Sequence, residues 1–186
     1  MRGIAPWFLL VLMLSACENP VQNLQDINQE SASAKTVVLV HGYGKGPKEM
    51  ASLAGFLEAA GYRPVAVDLP LTFDHVQDAA EIFSEKVEAI LSELPDDASI
   101  AMVGHSTGGL VIRYFLSHSP GYTRVDHAVL IATPNRGSKL AKVAKEFSDL
   151  LVETFATLDS LRPENMAELA LSDPEETRIG AIAGNK

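Results

Sequence analysis

One cysteine in 186 residues, Cys17, leaves no partner for an intrachain disulfide and too few thiols for a cysteine-built metal site. Basic charge is short as well: 15 Lys and Arg against 24 Asp and Glu give a formal net charge of −9, which argues against a nucleic-acid partner. There is no internal repeat and no run of like charge long enough to act as a tail. The longest apolar run, residues 4–14, is about half of the ~20 residues a spanning helix needs. With 47% hydrophobic residues, the chain has the composition of one globular domain rather than a disordered polymer, and its acidic excess reads as solvated surface.

Against these absences stands Gly104-His105-Ser106-Thr107-Gly108, between an apolar run that reads as a strand (100–103) and one that reads as a helix (108–117). A serine on a strand-to-helix turn must take a strained backbone conformation, and glycines two before and two after it let the chain pass without a clash. Upstream, the β-branched run Thr36-Val37-Val38-Leu39-Val40 reads as a buried parallel strand and leads straight into His41-Gly42-Tyr43-Gly44. The rest alternates in the same way. Helical spacing covers 47–60, with Met50, Leu53, Ala54 and Leu57 on one face and Gly61 as its cap; it also covers 76–94, with Ile82, Phe83, Val87, Ile90 and Leu91. Strands are expected at 62–68, 99–103, 125–132 and 178–183, and helices at 139–158 and 163–171. Strands separated by helices of ten or more residues predict an α/β fold, a mostly parallel sheet with helices on both faces.

In these motifs the chain resembles the α/β-hydrolase superfamily, and within it bacterial lipases and esterases with a His-Gly oxyanion loop. The resemblance covers residues 36–184 and includes Thr133-Pro134-Asn135-Arg136-Gly137-Ser138, which is similar to the Thr-Pro-x-x-Gly-Ser loop of many lipases. It implies Ser106 as the catalytic nucleophile and the backbone N–H groups of Tyr43 and Thr107 as the oxyanion hole. His41, Gly42, Gly104, His105 and Gly108 then support the motifs through backbone geometry. No metal or organic cofactor is implied. Residues 139–171 fall where such enzymes carry a cap or lid, although Phe147, Leu150, Leu151 and Phe155 there also suit a core. The implied activity is cleavage of acyl esters through an acyl-enzyme. Two alternatives stay open: a thioesterase or amidase on the same scaffold, and a non-catalytic hydrolase-like protein that binds an acyl ligand or a protein partner.

A serine needs a histidine to take its proton and a carboxylate to orient that histidine, in the chain order serine, acid, histidine. After Ser106 only His118 and His127 remain, one near a helix end and one inside a strand, both suited to structural roles. His75 lies at the correct sheet edge but precedes the serine. Asp126 faces the wrong edge, Asp68 and Asp74 are out of order, and Asp149, Asp159 and Asp173 sit on or beside the cap segment. The expectation is that acid and base lie beyond the strand near residues 178–183, in a chain truncated after it, so that these 186 residues alone are inactive.

At the N-terminus, Met1-Arg2, the apolar run and Leu14-Ser15-Ala16-Cys17 resemble the lipobox of a bacterial lipoprotein. Residues 1–16 are then a signal peptide, Cys17 the lipidated first residue, 17–34 a flexible tether rich in Gln, Asn and Ser, and 35–186 the hydrolase domain. Glu18 after the cysteine favours the outer membrane by the enterobacterial sorting pattern. The membrane, through Cys17, is the expected partner. Intact-mass analysis of the protein from a bacterial membrane should show a chain beginning at Cys17 with added acyl mass, and Cys17→Ser should abolish it. A mature protein with unmodified Cys17 would refute the lipoprotein assignment.

Overall fold

The computed structural model describes residues 34–137 and 156–184. Five strands form one parallel sheet: β1 (Thr36–Val40), β2 (Arg63–Val67), β3 (Ile100–His105), β4 (Val125–Ile131) and β5 (Arg178–Ile182), in the spatial order β2-β1-β3-β4-β5. The α/β expectation holds. β1 is buried along its whole length, as its β-branched sequence requires of a central strand covered on both faces.

Strand order dictates where the helices go. From β1 the chain steps outward to β2 through α1 (Ala51–Ala59), then returns past β1 to β3 through α2 (Val76–Ser92), and on to β4 through α3 (Thr107–His118). Right-handed crossovers taken in opposite directions put their helices on opposite faces. Accordingly Val38 and Val40 of β1 join the larger core with α2 and α3, where Phe83 and Phe115 meet edge to face at 5.4 Å between ring centroids. Val37 and Leu39, one residue out of phase, pack with Met50 and Val103 beneath Leu53, Ala54 and Leu57 of α1. The order reverses between β1 and β3, so the crevice outside their C-terminal ends is the topological switch point.

Local differences from the sequence reading have physical causes. The segment 47–60 opens as a 3₁₀ turn, Pro47–Met50, before α1 begins at Ala51. The 163–171 helix does not form: Asn165, Glu168 and Ala170 donate to carbonyls three residues back, leaving a short 3₁₀ turn (Asn165–Ala167). Ala170, at φ 45°, is in the left-handed region. The apolar spacing there serves to plug the core with Leu169, which is fully buried. Of the 139–158 helix only α4 (Ala156–Ser160) is described; Phe147, Asp149, Leu150, Leu151, Phe155 and Ser138 lie outside the described residues, as do residues 1–33 with Cys17. β5 is an edge strand with most of its residues exposed.

At the N-terminal edge of the sheet, Asp126 ties three strands. The Lys35 amine and the Ser99 hydroxyl both donate to its Oδ2, the latter at 3.1 Å, and His127 Nδ1 lies 3.0 Å from its Oδ1. Burial pushes the Asp126 carboxyl up, but hydrogen bonds from Lys35, His127 and Ser99 outweigh it and hold the pKa below the usual aspartate value. A carboxyl depressed on folding adds stability above its unfolded-state pKa, and the contribution is lost as pH falls through the folded value. Asp126→Asn should therefore lower the urea midpoint at neutral pH, and the gap from the parent should close well below the unfolded aspartate value of about 3.9. A gap unchanged by acid would show that the ion pair does not stabilise the edge.

Candidate active site

Between β3 and α3 there is no loop, only Ser106, held at φ 51° and ψ −121°. A non-glycine residue at positive φ costs on the order of 1–3 kcal/mol and persists only where its surroundings over-determine it. Here they do. The Ser106 N–H donates to Ile131 O of β4 at 2.8 Å, and Gly109 N–H donates back to Ser106 O at 3.0 Å. A Cβ on Gly104 would stand 2.6 Å from Gly109 Cα, and one on Gly108 would stand 2.4 Å from His41 O and 2.6 Å from Val40 O. Gly109 is a third such position, which the pentapeptide does not reveal: its Cβ would meet Thr133 Oγ1 at 1.9 Å.

The His41–Gly42–Tyr43–Gly44 loop leaves β1 at the same edge. His41 is fully buried; its Nε2 accepts the Leu69 N–H at 3.1 Å and its Nδ1 lies 3.0 Å from Gly42 O. Because a backbone N–H can only donate, Nε2 carries no proton and Nδ1 donates to the carbonyl. His41 is thus a clamp between two chain segments. Gly44 N–H donates to Leu71 O at 2.9 Å, closing the far side of the loop. Among the described residues, no protein acceptor takes the N–H of Tyr43 or of Thr107.

These groups converge on one cavity of about 330 Å³, lined by Gly42, Tyr43, Lys45, Glu49, His105, Ser106, Thr107, Ala132, Pro134 and Leu161. Ser106, Tyr43 and Thr107, singled out from the sequence, share it. Glu49, Lys45, Ala132 and Leu161 were not foreseen, since nothing in a turn glutamate or a lone leucine marks it in sequence. Glu49 Oε2 accepts the Gly42 N–H at 2.7 Å, and its Oε1 lies 3.3 Å from His105 Nδ1. Burial pushes the Glu49 carboxyl up, but the Gly42 N–H, His105 and Lys45 outweigh it and hold it below the usual carboxylate range. Burial also raises the Tyr43 phenol, which therefore stays protonated.

The expected base is missing from this cavity. The chain has five histidines, all described, and none hydrogen-bonds the Ser106 hydroxyl. His41 is the clamp above and His105 faces Glu49. His75 Nδ1 lies 3.2 Å from Ser160 Oγ, and His75 lines a separate cavity with Asp78 and Asp159, away from Ser106. His118 bonds to Tyr114 O and stacks on the Tyr114 ring, and His127 sits beside Asp126. Two of the aspartates are paired, Asp159 with Arg162 and Asp173 with Arg113; the Asp74 backbone carbonyl accepts from the Thr157 hydroxyl. Asp68 Oδ1 lies 3.5 Å from His41 Nε2. In the Thr133–Gly137 loop, Asn135 accepts from Arg113 at 3.2 Å, and Gly137, at φ 82°, would carry a Cβ 2.9 Å from Leu161 O.

A family model described as "Domain of unknown function (DUF7379)" matches residues 15–177. The chain is 32% identical over 108 residues to methylesterase 3 of Arabidopsis thaliana, a match covering 55% of this chain and 40% of that protein. It spans less than half the length of the first curated relatives, named "Putative methylesterase 14, chloroplastic", "Putative methylesterase 12, chloroplastic" and "Methylesterase 3". The mature lipase BlEst2 of Bacillus licheniformis superposes with a TM-score of 0.70 at 23% identity, covering 83% of this chain and 67% of that one. The metagenomic carboxyl esterase MGS0156 gives 0.62 at 24% identity, covering 80% and 49%. Both likenesses show a shared fold.

Gly108→Ala should destabilise the fold by about 3 kcal/mol, the top of the usual overpacking range, because the new methyl meets two carbonyl oxygens that cannot retreat. Gly55→Ala, on α1 with open space around it, should instead stabilise by about 0.5–1 kcal/mol. Urea midpoints compare the two, and equal midpoints would show that the elbow does not depend on this contact.

Proposed function

The chain belongs to the DUF7379 family, whose description assigns no activity, and from its site we propose that it is a serine hydrolase that cleaves carboxylic esters through an acyl-enzyme on Ser106. One observation carries this reading: Ser106 is held at positive φ in a cavity that two unspent backbone N–H groups, of Tyr43 and Thr107, also line. In this mechanism Ser106 Oγ attacks the ester carbonyl carbon while a general base takes its proton. The carbonyl electron pair moves onto oxygen, and the Tyr43 and Thr107 N–H groups receive that negative charge. Losing one such donor costs about 2.7–4 kcal/mol of transition-state stabilisation. Collapse expels the alcohol, and water then attacks the acyl group by the same steps in reverse.

No base or orienting carboxylate for Ser106 is assigned among the described residues. Each of the five histidines is engaged away from the Ser106 hydroxyl, and the matches cover 28%, 30% and 40% of the first three curated relatives. On this reading the 186 residues alone turn over very slowly. The same histidine placement favours a second reading, a hydrolase-like binder of acyl ligands, with Ser106 contributing shape only. Acylated Cys17 would hold either form at a membrane, on the periplasmic face of the outer membrane by the Glu18 sorting pattern; Leu14-Ser15-Ala16-Cys17 supports this.

In the full-length protein, a fluorophosphonate probe should label Ser106, and Ser106→Ala should cut turnover of short p-nitrophenyl esters by about 10⁴-fold or more. Esterase activity that survives Ser106→Ala would overturn the mechanism. Absence of both labelling and turnover, with retained affinity for a fatty acid, would favour the binder.

A further inference from the structure

An oxyanion hole works only if its donors are fixed before charge develops, so whatever holds the loop against the elbow sets its quality. Three contacts hold it. His41 clamps its start from inside the fold, and Leu71 O closes its far side. The third comes from Glu49, on a 3₁₀ turn whose next residue, Met50, is buried between Val37, Leu39 and Val103. That turn is further closed by the Glu49 N–H donating to Gly46 O at 2.9 Å. The carboxylate therefore stands on a rigid base.

We propose that Glu49 is the positioning residue of the oxyanion loop, its two carboxylate oxygens bridging the Gly42 N–H on the loop and the His105 imidazole on the elbow. The bridge spans Ser106: a Cβ built on Gly42 would lie 3.1 Å from Ser106 Cβ and 3.3 Å from His105 Nδ1. Glu49 fixes the His41–Gly42 peptide plane, and His41 Nδ1, 3.0 Å from Gly42 O, holds the next plane, from which the Tyr43 N–H extends; the two planes meet at Gly42 Cα. A carboxylate this close to a developing oxyanion is repulsive unless it is neutralised, and Lys45, which lines the same cavity, is the cation that acts on it. The geometry assigns Glu49 a steric and hydrogen-bonding task, not proton transfer.

This inference rests on the serine-hydrolase reading, and the test separates the two. In the full-length protein, Glu49→Ala should lower kcat on a p-nitrophenyl ester by about 10- to 100-fold with KM nearly unchanged, because the lost alignment matters only once charge develops. Glu49→Gln keeps an acceptor for the Gly42 N–H and should stay within about threefold of the parent. Amides 42–45 should exchange with deuterium roughly tenfold faster in Glu49→Ala and not in Glu49→Gln. A Glu49→Gln loss as large as that of Glu49→Ala would overturn the proposal in favour of a role for the charge. Unchanged kcat in a folded Glu49→Ala would overturn it in favour of a merely structural contact. Should the parent show no Ser106-dependent activity, the hydrolase reading fails, and the exchange of amides 42–45 still decides whether Glu49 holds the loop.

Discussion

Where the first turn of α3 meets the end of β1, two backbones approach with no side chain between them. The position of a Cβ on Gly108 would fall inside the contact radius of two carbonyl oxygens, those of Val40 and His41. That approach brings the loop after β1 alongside the residue that opens α3. Without it the Tyr43 and Thr107 amides, which come from segments more than sixty residues apart, would not border one cavity. Gly104 and Gly109 serve the same end from the other side, letting β3 and α3 turn on a single residue while Thr133 packs against the helix.

A strained serine at the end of a strand needs surroundings that hold it, and the sheet supplies them unequally. The strands that meet at the site, β1 and β3, are central and covered on both faces, and the elbow amide is tied to β4 through Ile131. The outer elements are looser: α1 has no buried residue, β2 has one buried residue in five, and β5 forms an open edge. Rigidity is concentrated where two N–H donors must keep their aim, which is the arrangement that electrostatic preorganisation demands. The polar ties at the opposite edge, with Asp126 joining Lys35 and Ser99, hold the strand starts in register without touching the cavity.

What could be read from the sequence follows from which signals are local. β1 and the elbow declare themselves because burial on both faces forces unbroken β-branched runs, and because a strand-to-helix turn forces glycine at fixed offsets. Thr36–Val40 stands where the sequence put it, and Ser106 falls at the turn. Segment 163–171 misled because apolar spacing records burial, not helix: Leu169 is buried from a chain of short turns. Glu49 was invisible because its partners, Gly42 and His105, are 7 and 56 positions away and meet it only through the fold. His75 shares the correct sheet edge with Ser106, but its neighbour is Ser160, from a segment 85 residues later.

The histidines show how far motif logic extends before geometry must take over. His41 and His105 both flank glycines in the two motifs, yet they do different work. His41 is buried and bonded at both ring nitrogens, so it can accept no further proton without losing the Leu69 N–H. His105 keeps one face toward the cavity and its Nδ1 toward a carboxylate. Among the described residues, neither ring nitrogen of His105 hydrogen-bonds the Ser106 hydroxyl, and its Nδ1 lies 3.3 Å from Glu49 Oε1. On the proposed mechanism, the elbow and the oxyanion loop form one half of a site, with the strained serine and the two N–H donors in place. The remaining half is defined by one requirement: an imidazole nitrogen that can reach Ser106 Oγ from the open side of the cavity.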